Sequence, residues 1–506
     1  MFFINCPRIE SLTMHSTDWF SKWSVYSPDK VAVRDAAGSG SLTYAELNSR
    51  GANLAVYLQH SKGIKKGDRI AVVSDFGMPY FLLFAAAQKL GFILVPLNQR
   101  LAAREVEYLL ENSEPSLFVF EEQFRNLALD ANQKPQIHSC TIDDIEAWSK
   151  EVKPHELTGP GPDLEDPIFI LYTSGTTGFP KGALYTHKMM VWNSLNTALR
   201  LNVTASDHTL MVMPPFHTGG WNVLTTPFLH FGASVSILPK FDPDRVLQLL
   251  ESEGSTLFMA VPTMVKMLAE SPEFERVKLE QLRYFIVGGE ALPVPLIEQW
   301  AEKGVMIRQG YGLTEVGTNV TSLAAEDAIR KRGSIGFPNF YIESKLVKED
   351  GSEAGANEIG EFWLRGPVVT PGYWKNPDAT AKSIEDGWFK TGDLLRLDEE
   401  GYLYVVDRIK NMFISGGENI YPAEVEKYLI THPNIREVAV VGVTDEKWGE
   451  VGKAVVVAQG DVSVAELKEF CQQGMARFKV PKHFVFTEKL PLTDSGKIDK
   501  KGLTKI

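Results

Sequence analysis

Short apolar runs of strand length recur along much of this chain and alternate with amphipathic stretches of helical length. Strands rich in β-branched and aromatic residues are typically buried on both faces, and the helices between them cover the two faces of a parallel sheet. The pattern therefore predicts an α/β protein with a large N-terminal domain of doubly covered, largely parallel sheets. The runs are 69–74, 92–97, 117–120, 168–172, 234–238, 257–261 and 284–287.

The sequence pattern changes twice toward the C-terminus. Between Gly333 and Pro367, short β-like runs are separated by polar turns that contain glycine, which is typical of an antiparallel or barrel-like unit. After residue 407, helix and strand signals are closely spaced, and about a hundred residues are enough for a small α+β domain. We predict a large domain over 1–407, with a β-barrel-like part at about 333–400, and a small domain over 408–506.

Composition excludes several classes of protein. The 506 residues include 52 Lys and Arg against 64 Asp and Glu, a net charge of −12, which argues against nucleic acid as a partner because that requires a basic face. Three widely spaced cysteines predict neither a disulfide framework nor a zinc site. The apolar runs are shorter than the ~20 residues of a transmembrane helix, and residues 1–13 do not read as a signal peptide. We expect a cytoplasmic protein, with peripheral membrane contact and oligomer formation left open.

The segment from Leu171 to Gly182 carries the clearest chemical motif, because it concentrates hydroxyls, glycines and one lysine in a single turn. Glycines let backbone N–H groups approach phosphate oxygens, while hydroxyls and the lysine add neutral and charged donors. The glycine spacing and Pro180 differ from a Walker loop, so no helix is expected to begin at the lysine. The predicted polyphosphate-binding residues are Thr173, Ser174, Gly175, Thr176, Thr177, Gly178 and Lys181.

Four further motifs follow in order: Gln309-Gly310-Tyr311-Gly312-Leu313-Thr314-Glu315, Thr391-Gly392-Asp393, Asp407-Arg408-Ile409-Lys410 and Ser495-Gly496-Lys497-Ile498. With these residues, the chain resembles the adenylate-forming superfamily of acyl- and aryl-CoA synthetases, firefly luciferase and peptide-synthetase adenylation domains. The resemblance extends from about Leu42 to Lys497. It implies an AMP-forming acid–thiol ligase that uses ATP, Mg²⁺ and coenzyme A.

The resemblance also implies the nucleotide-binding residues. Glu315 would bind the magnesium ion, since hard oxygen ligands suit it, and Thr314 would lie beside the α-phosphate. Tyr311 would stack on the adenine, and the backbone of Gly289, Glu290 and Ala291 would line the other side. Asp393 would accept hydrogen bonds from the ribose diol, with Arg408 as a second polar contact.

The acid-binding residues are implied in the same way. His217 stands where the family has an aromatic or histidine gate, and it cannot replace the aspartate with which amino-acid-activating domains hold an ammonium group. The acyl pocket would be lined by His217, Trp221, Asn222, Gly288, Gly310, Gly317, Thr318 and Asn319. The three glycines would leave volume. Trp221 would either close this pocket or pack in the core, and the sequence does not decide between the two.

Two half-reactions follow from the resemblance. Lys497 would bridge the carboxylate of the acid and the α-phosphate during adenylation. Lys410 would be the hinge about which a mobile small domain turns after pyrophosphate leaves. The loop 415–418, with Gly416 and Gly417, would then take the place of Lys497 and admit the pantetheine thiol.

The resemblance favours a medium- or long-chain fatty acid as the substrate, and hence a role in lipid metabolism. An aryl acid or 2-succinylbenzoate remains an alternative, although the proposed pocket positions lack the basic residue that a dicarboxylate would call for. An acyl-AMP ligase that loads a carrier protein, a luciferase-like oxygenase and a binding protein without catalysis are the other readings. No insertion is evident near 394–407 of the kind that often accompanies acyl-AMP ligases.

Overall fold

The computed structural model describes residues 17–38, 40–152, 154–173, 180–288, 292–415, 418–493 and 498–506. The helices are α1 Trp19–Tyr26, α2 Tyr44–Lys62, α3 Met78–Leu90, α4 Ala103–Ser113, α5 Arg125–Ala131, α6 Ile142–Lys150, α7 His187–Leu201, α8 Thr225–His230, α9 Pro243–Ser252, α10 Pro262–Ala269, α11 Val294–Glu302, α12 Pro377–Ser383, α13 Pro422–Leu429, α14 Val464–Gly474 and α15 Lys500–Leu503.

The strands are β1 Val31–Asp35, β2 Gly40–Thr43, β3 Arg69–Val73, β4 Ile93–Pro96, β5 Leu117–Phe120, β6 Ser139–Thr141, β7 Pro167–Thr173, β8 Lys181–Thr186, β9 His208–Met211, β10 Ser234–Ile237, β11 Leu257–Ala260, β12 Tyr284–Val287, β13 Met306–Tyr311, β14 Thr321–Ser322, β15 Phe337–Pro338, β16 Glu343–Val347, β17 Ile359–Arg365, β18 Ile384–Glu385, β19 Trp388–Leu397, β20 Leu403–Arg408, β21 Phe413–Ser415, β22 Glu418–Ile420, β23 Ile435–Asp445, β24 Gly449–Ala458 and β25 His483–Phe486. All seven predicted apolar runs are strands.

The first large sheet has the order β6-β5-β3-β4-β7-β8 and is parallel except for β8, which runs antiparallel to β7. Successive residues of β3 point to opposite faces. Ile70 and Val72 belong to the apolar core that includes α2 and α3, whereas Ala71 and Val73 pack in the core that includes α4. Both faces are thus covered by helices, as the sequence predicts.

Two further sheets complete the α/β part of the chain. One has the order β2-β1-β10-β9 and the other the order β11-β12-β13-β14-β15, in which β11 to β13 are parallel and the last two pairings are antiparallel. Tyr311 ends β13 and a short 3₁₀ turn, Thr314–Val316, follows it. The carboxyl end of a parallel strand thus presents Tyr311, Thr314 and Glu315, the three residues of this motif that the sequence singles out.

The segment predicted to be barrel-like is an antiparallel sheet. Its strands follow the order β16-β17-β19-β18, and β20 pairs with the other part of β19. Phe362, Leu364 and Leu395 are buried in the core beneath this sheet. Strands β19 and β20 are joined by five residues, 398–402, so the connection is a turn.

The C-terminal segment has its own sheet, with the order β22-β21-β24-β23 and with β25 added in parallel to β24. Val440, Val456 and Leu467 lie in a core cluster confined to this segment. The small α+β unit predicted after residue 407 is therefore present, whereas the boundary at 407/408 stays a prediction. Within the described ranges, no helix has both the length and the apolar character needed to cross a membrane.

Candidate active site

The motif predicted to bind phosphate connects β7 to β8. Thr173 and Lys181 are paired across the two antiparallel strands, so they flank the connection on either side. Lys181 begins a strand and not a helix, as the sequence predicts. Ser174, Gly175, Thr176, Thr177 and Gly178 lie outside the described residues.

Glu315 lies next to this hairpin and is held by a tyrosine that the sequence did not single out. The hydroxyl of Tyr373 donates a hydrogen bond to Oε1 of Glu315 at 2.9 Å. The ammonium group of Lys181 lies 5.3 Å from the centre of the Tyr373 ring. Lys181, Tyr373 and Glu315 therefore form one group, and Thr314 precedes Glu315 in the same turn.

Opposing effects act on the Glu315 carboxyl. Burial raises its pKa above the usual range, while the Tyr373 hydrogen bond and the charges of Arg408 and Lys181 oppose that rise. A single anionic carboxylate suits magnesium, which is usually held by one or two carboxylates together with substrate phosphates. In the described part of the chain, no group of three or more His, Cys, Asp or Glu side chains gathers around a candidate metal position. The donor set therefore fits an ion that enters with a nucleotide.

The predicted adenine and ribose residues contact each other. The hydroxyl of Tyr311 donates to Oδ2 of Asp393 at 2.5 Å, and Nε of Arg408 lies 2.8 Å from Oδ1. Gly392, at φ +70°, occupies the left-handed region that favours glycine and turns the chain just before Asp393. Asp393 is only 2% exposed, and its position on β19 directly opposite Arg408 on β20 accounts for the pairing.

The segment predicted to bind the acid begins at His217, whose ring packs against that of Phe216. It continues as one turn of π-helix, Gly219–Val223. This geometry is rare in proteins as a whole, and where it occurs it often lies at a functional site. Asn222 is fully buried in this turn and donates from Nδ2 to Oγ1 of Thr218 at 3.2 Å. The segment therefore has two partly exposed polar residues at its start, His217 and Thr218, and the buried Asn222 behind them.

Trp221 packs in the core, which favours the second of the two alternatives that the sequence left open. Its side chain is 0% exposed, and its indole N–H donates to the carbonyl of Pro215 at 3.0 Å. The rings around it belong to α3 or the turn before that helix, and to β7; they are Phe76, Tyr80, Phe81, Phe84 and Phe169.

The three glycines expected to leave volume have packing neighbours instead. A Cβ on Gly288 would lie 3.0 Å from the carbonyl oxygen of Gly310, and one on Gly310 would lie 3.2 Å from that of Thr321. Gly317 has φ +79°, and its Cβ would lie 2.9 Å from Cβ of Val368. Close backbone approach accounts for these glycines, so they do not by themselves indicate a roomy pocket.

The loop after Glu315 is fixed by hydrogen bonds from several elements. Tyr185 donates to the carbonyl of Gly317, and Oδ1 of Asn193 accepts from the N–H of Asn319. Asn319 also donates from Nδ2 to Thr197 and to the carbonyl of Val223. Thr318 between them has φ +85°, a strained conformation for a β-branched residue. Such strain persists only where the surroundings impose it.

Some predicted residues cannot be placed. Gly289, Glu290, Ala291, Gly416, Gly417 and Lys497 lie outside the described residues. Lys410 is exposed two residues after β20, at the start of the connection to the C-terminal sheet.

Sequence reasoning missed two groups that the structure brings into the site, Tyr373 and Thr218. The available signal for Tyr373 was an aromatic pair, Tyr373-Trp374, directly after a Pro-Gly turn. Thr218 was marked only by its position beside His217. Neither signal indicates a contact with a residue far away in the sequence.

Comparison with protein families identifies two matching regions. The family described as AMP-binding enzyme matches residues 20–374, and the AMP-binding enzyme C-terminal domain matches residues 424–497. Together the two regions contain most of the candidate site, including Tyr373; Asp393 and Arg408 lie between them.

Relatives of known activity match nearly the whole chain. The chain is 38% identical to a feruloyl-CoA synthase of Amycolatopsis over 95% of this chain and 97% of the relative. It is 36% identical to a long-chain-fatty-acid–CoA ligase of Mycobacterium tuberculosis over 94% and 95%. Among solved structures, it is similar to o-succinylbenzoate CoA synthetase of Bacillus subtilis in complex with its acyl-adenylate, with a TM-score of 0.87, 31% identity and coverage of 96% and 97%. That synthetase has also been solved with ATP and a magnesium ion.

Proposed function

Because this chain belongs to the AMP-binding enzyme family and is an acyl-CoA ligase, we propose that it works in two half-reactions. An oxygen of a carboxylic acid attacks the α-phosphorus of ATP, so that an acyl-adenylate forms and pyrophosphate leaves. The thiol of coenzyme A then attacks the carbonyl carbon, the thioester forms and AMP leaves. Activation is needed because a carboxylate is a poor acyl donor toward a thiol in water.

The first half-reaction brings two anions together, so the site must neutralise charge and hold the reactants in line. We assign the polyphosphate to the β7–β8 connection and Lys181. Glu315 would hold the magnesium ion, which reduces the negative charge of the phosphates when bound. Tyr373 orients the Glu315 carboxylate by its hydrogen bond.

The observation that carries the proposal is the arrangement of Tyr311, Asp393 and Arg408. A buried carboxylate that is already paired with one cation and one hydroxyl is an acceptor fixed in position before any ligand arrives. An ionised carboxylate has about four lone-pair sites, so two contacts leave capacity for the two hydroxyls of a ribose. Tyr311 supplies an aromatic ring beside the same point, as an adenine nucleotide requires.

We propose that the second half-reaction uses a different arrangement of the small domain. Lys497 would serve adenylation, and the loop 415–418 would serve thioester formation after a turn about Lys410. The exposure of Lys410, two residues after β20, supports this role, because a change in its backbone angles disturbs no buried side chain at that position.

A fatty acid and an aryl acid are the two candidate substrates. The 36% identity to a long-chain-fatty-acid ligase supports the fatty acid that the sequence favours. The packed glycines remove one reason for expecting a roomy pocket, whereas the burial of Trp221 means that this side chain does not limit the length of the pocket. The 38% identity to a feruloyl-CoA synthase supports the aryl alternative.

The proposed chemistry is tested by measuring pyrophosphate release and thioester formation on one panel of fatty and aryl acids, with and without coenzyme A. We expect pyrophosphate release that depends on the acid, and a thioester only when coenzyme A is added. Adenylate formation without any thioester would favour the acyl-AMP ligase alternative. Lack of acid-dependent pyrophosphate release with every acid, from folded protein, would refute the proposal. Thr209→Val, a substitution on β9 outside the proposed site, serves as a control for effects of mutation and purification on the activity.

A further inference from the structure

The segment that carries His217 and the loop that follows Glu315 touch through a pair of threonine hydroxyls. Oγ1 of Thr218 and Oγ1 of Thr318 are 2.5 Å apart, and both side chains are partly exposed. An acid that reacts at the α-phosphate must lie between the nucleotide and the acid-binding segment. The hydroxyl pair is therefore located where these two parts of the proposed site meet.

The two threonine hydroxyls together carry one more proton than their hydrogen bonds to protein groups require. Asn222 donates to Thr218 from Nδ2, because its Oδ1 accepts from Thr226. Each hydroxyl brings one proton, and the bond between the two threonines consumes one of the two. In the described residues neither hydroxyl makes another hydrogen bond. One hydroxyl proton is left to be donated to an outside acceptor.

The surroundings hold this donor in place. Thr318 is kept at φ +85° between Gly317, whose carbonyl accepts from Tyr185, and Asn319, which bonds to α7 and to the π-helical turn. Gly312 has no Cβ to clash with the carbonyl of Thr318, which passes directly over it. A strained residue fixed from several sides is typical of a ligand contact and has no evident structural benefit here.

We propose that the Thr218–Thr318 hydroxyl pair is a specificity site that donates a hydrogen bond to an oxygen of the acid other than its carboxylate. The preferred substrates are acids that carry such an acceptor, as a hydroxyl, ether or carbonyl oxygen, over the corresponding hydrocarbon acids. This rests on the ligase activity proposed above. Trp221 and its aromatic neighbours fill the core behind the segment. The two threonine hydroxyls are partly exposed in front of that core, where a substrate can reach them.

The test compares acids in matched pairs, cinnamic acid with its hydroxy and methoxy derivatives and a straight-chain acid with its ether analogue of equal length. We expect kcat/KM for adenylation to be about three- to tenfold higher for the oxygenated member, the range for one neutral hydrogen bond. The double variant Thr218→Val/Thr318→Val keeps both branched shapes and removes both hydroxyls, so the ratio should fall to about one. Thr218→Ser/Thr318→Ser keeps both hydroxyls and should keep the ratio.

Thr209→Val is the matched control, because it removes a buried hydroxyl on β9 that makes no hydrogen bond in the described part of the chain and is not among the site residues. It should leave the ratio unchanged even if it lowers the stability. Equal losses for both members of each pair in Thr218→Val/Thr318→Val would mean that the hydroxyls bind the carboxylate itself, and would overturn the inference. An unchanged ratio would overturn it as well. Either result leaves the ligase activity standing, whereas no adenylation with any acid refutes the ligase proposal and the inference with it.

Discussion

Replacing Trp221 by alanine separates a core residue from a pocket residue. The indole is fully buried among five aromatic rings, so its removal leaves a cavity that the packed neighbours can fill only in part. If Trp221 lined the acid site, the same substitution would instead lengthen that site. The two alternatives differ in the property that changes, stability or chain-length preference.

The expected loss can be worked from the burial. A buried aromatic side chain removes roughly 150–250 Å² from water, which at about 25 cal/mol per Å² gives roughly 4–6 kcal/mol as an upper limit. The carbonyl of Pro215 also loses its donor, at a cost of about 1 kcal/mol or more. Measured Trp→Ala costs in cores are about 3–5 kcal/mol. We therefore expect Trp221→Ala to lose about 4 kcal/mol and Trp221→Phe, which keeps an aromatic ring, about 1–2 kcal/mol.

Urea unfolding of both variants measures the loss, and adenylation of acids of increasing length measures the preference. We expect the free energy of unfolding to fall and the preferred acid to stay the same. If the alanine variant does not fold, the phenylalanine variant still supplies both measurements. Near-normal stability together with a shift toward longer acids would show that Trp221 lines the site and that the core assignment is wrong.

Four other substitutions test the site and the fold. Asp393→Asn should raise KM for ATP by about ten- to a hundredfold, because a neutral amide loses the ion pair and the charged acceptor, as steady-state kinetics would show. Tyr373→Phe should raise the magnesium concentration for half-maximal rate about tenfold and leave kcat at saturating magnesium nearly unchanged. Lys497→Ala should slow adenylation by about a hundredfold to a thousandfold and spare thioester formation from supplied acyl-adenylate. Burial lowers the pKa of His187 to about 4 from 6.5, so the unfolded chain takes up a proton first as the pH falls, and the free energy of unfolding declines between pH 6.5 and pH 4. In urea titrations, His187→Met should therefore reduce the decline in the free energy of unfolding between pH 7 and pH 5 by about 2 kcal/mol.

The sequence predicted the strands well because a strand that is buried on both faces requires an almost continuous run of apolar residues. The runs 117–120 and 284–287 have the same bounds as β5 and β12. It could not decide the position of Trp221, since an apolar side chain gives the same signal in a core and in a pocket. It also missed Tyr373, whose contact with Glu315 spans 58 residues and depends on how the segment between β17 and α12 packs against β8. The roles of the site residues remain predictions.

The pairing of Asp393 with Arg408 bears on how such proteins can be recombined. Arg408 is the last residue of β20 and lies directly across from Asp393, so the connection to the C-terminal sheet begins only after the pair is complete. A chimera joined after Arg408 inherits both partners from one parent. A chimera joined one residue earlier draws them from two parents, so the Asp393–Arg408 ion pair forms only if the two parental backbones agree. The two junctions differ by a single residue, so exchange of C-terminal segments between relatives would show the difference directly.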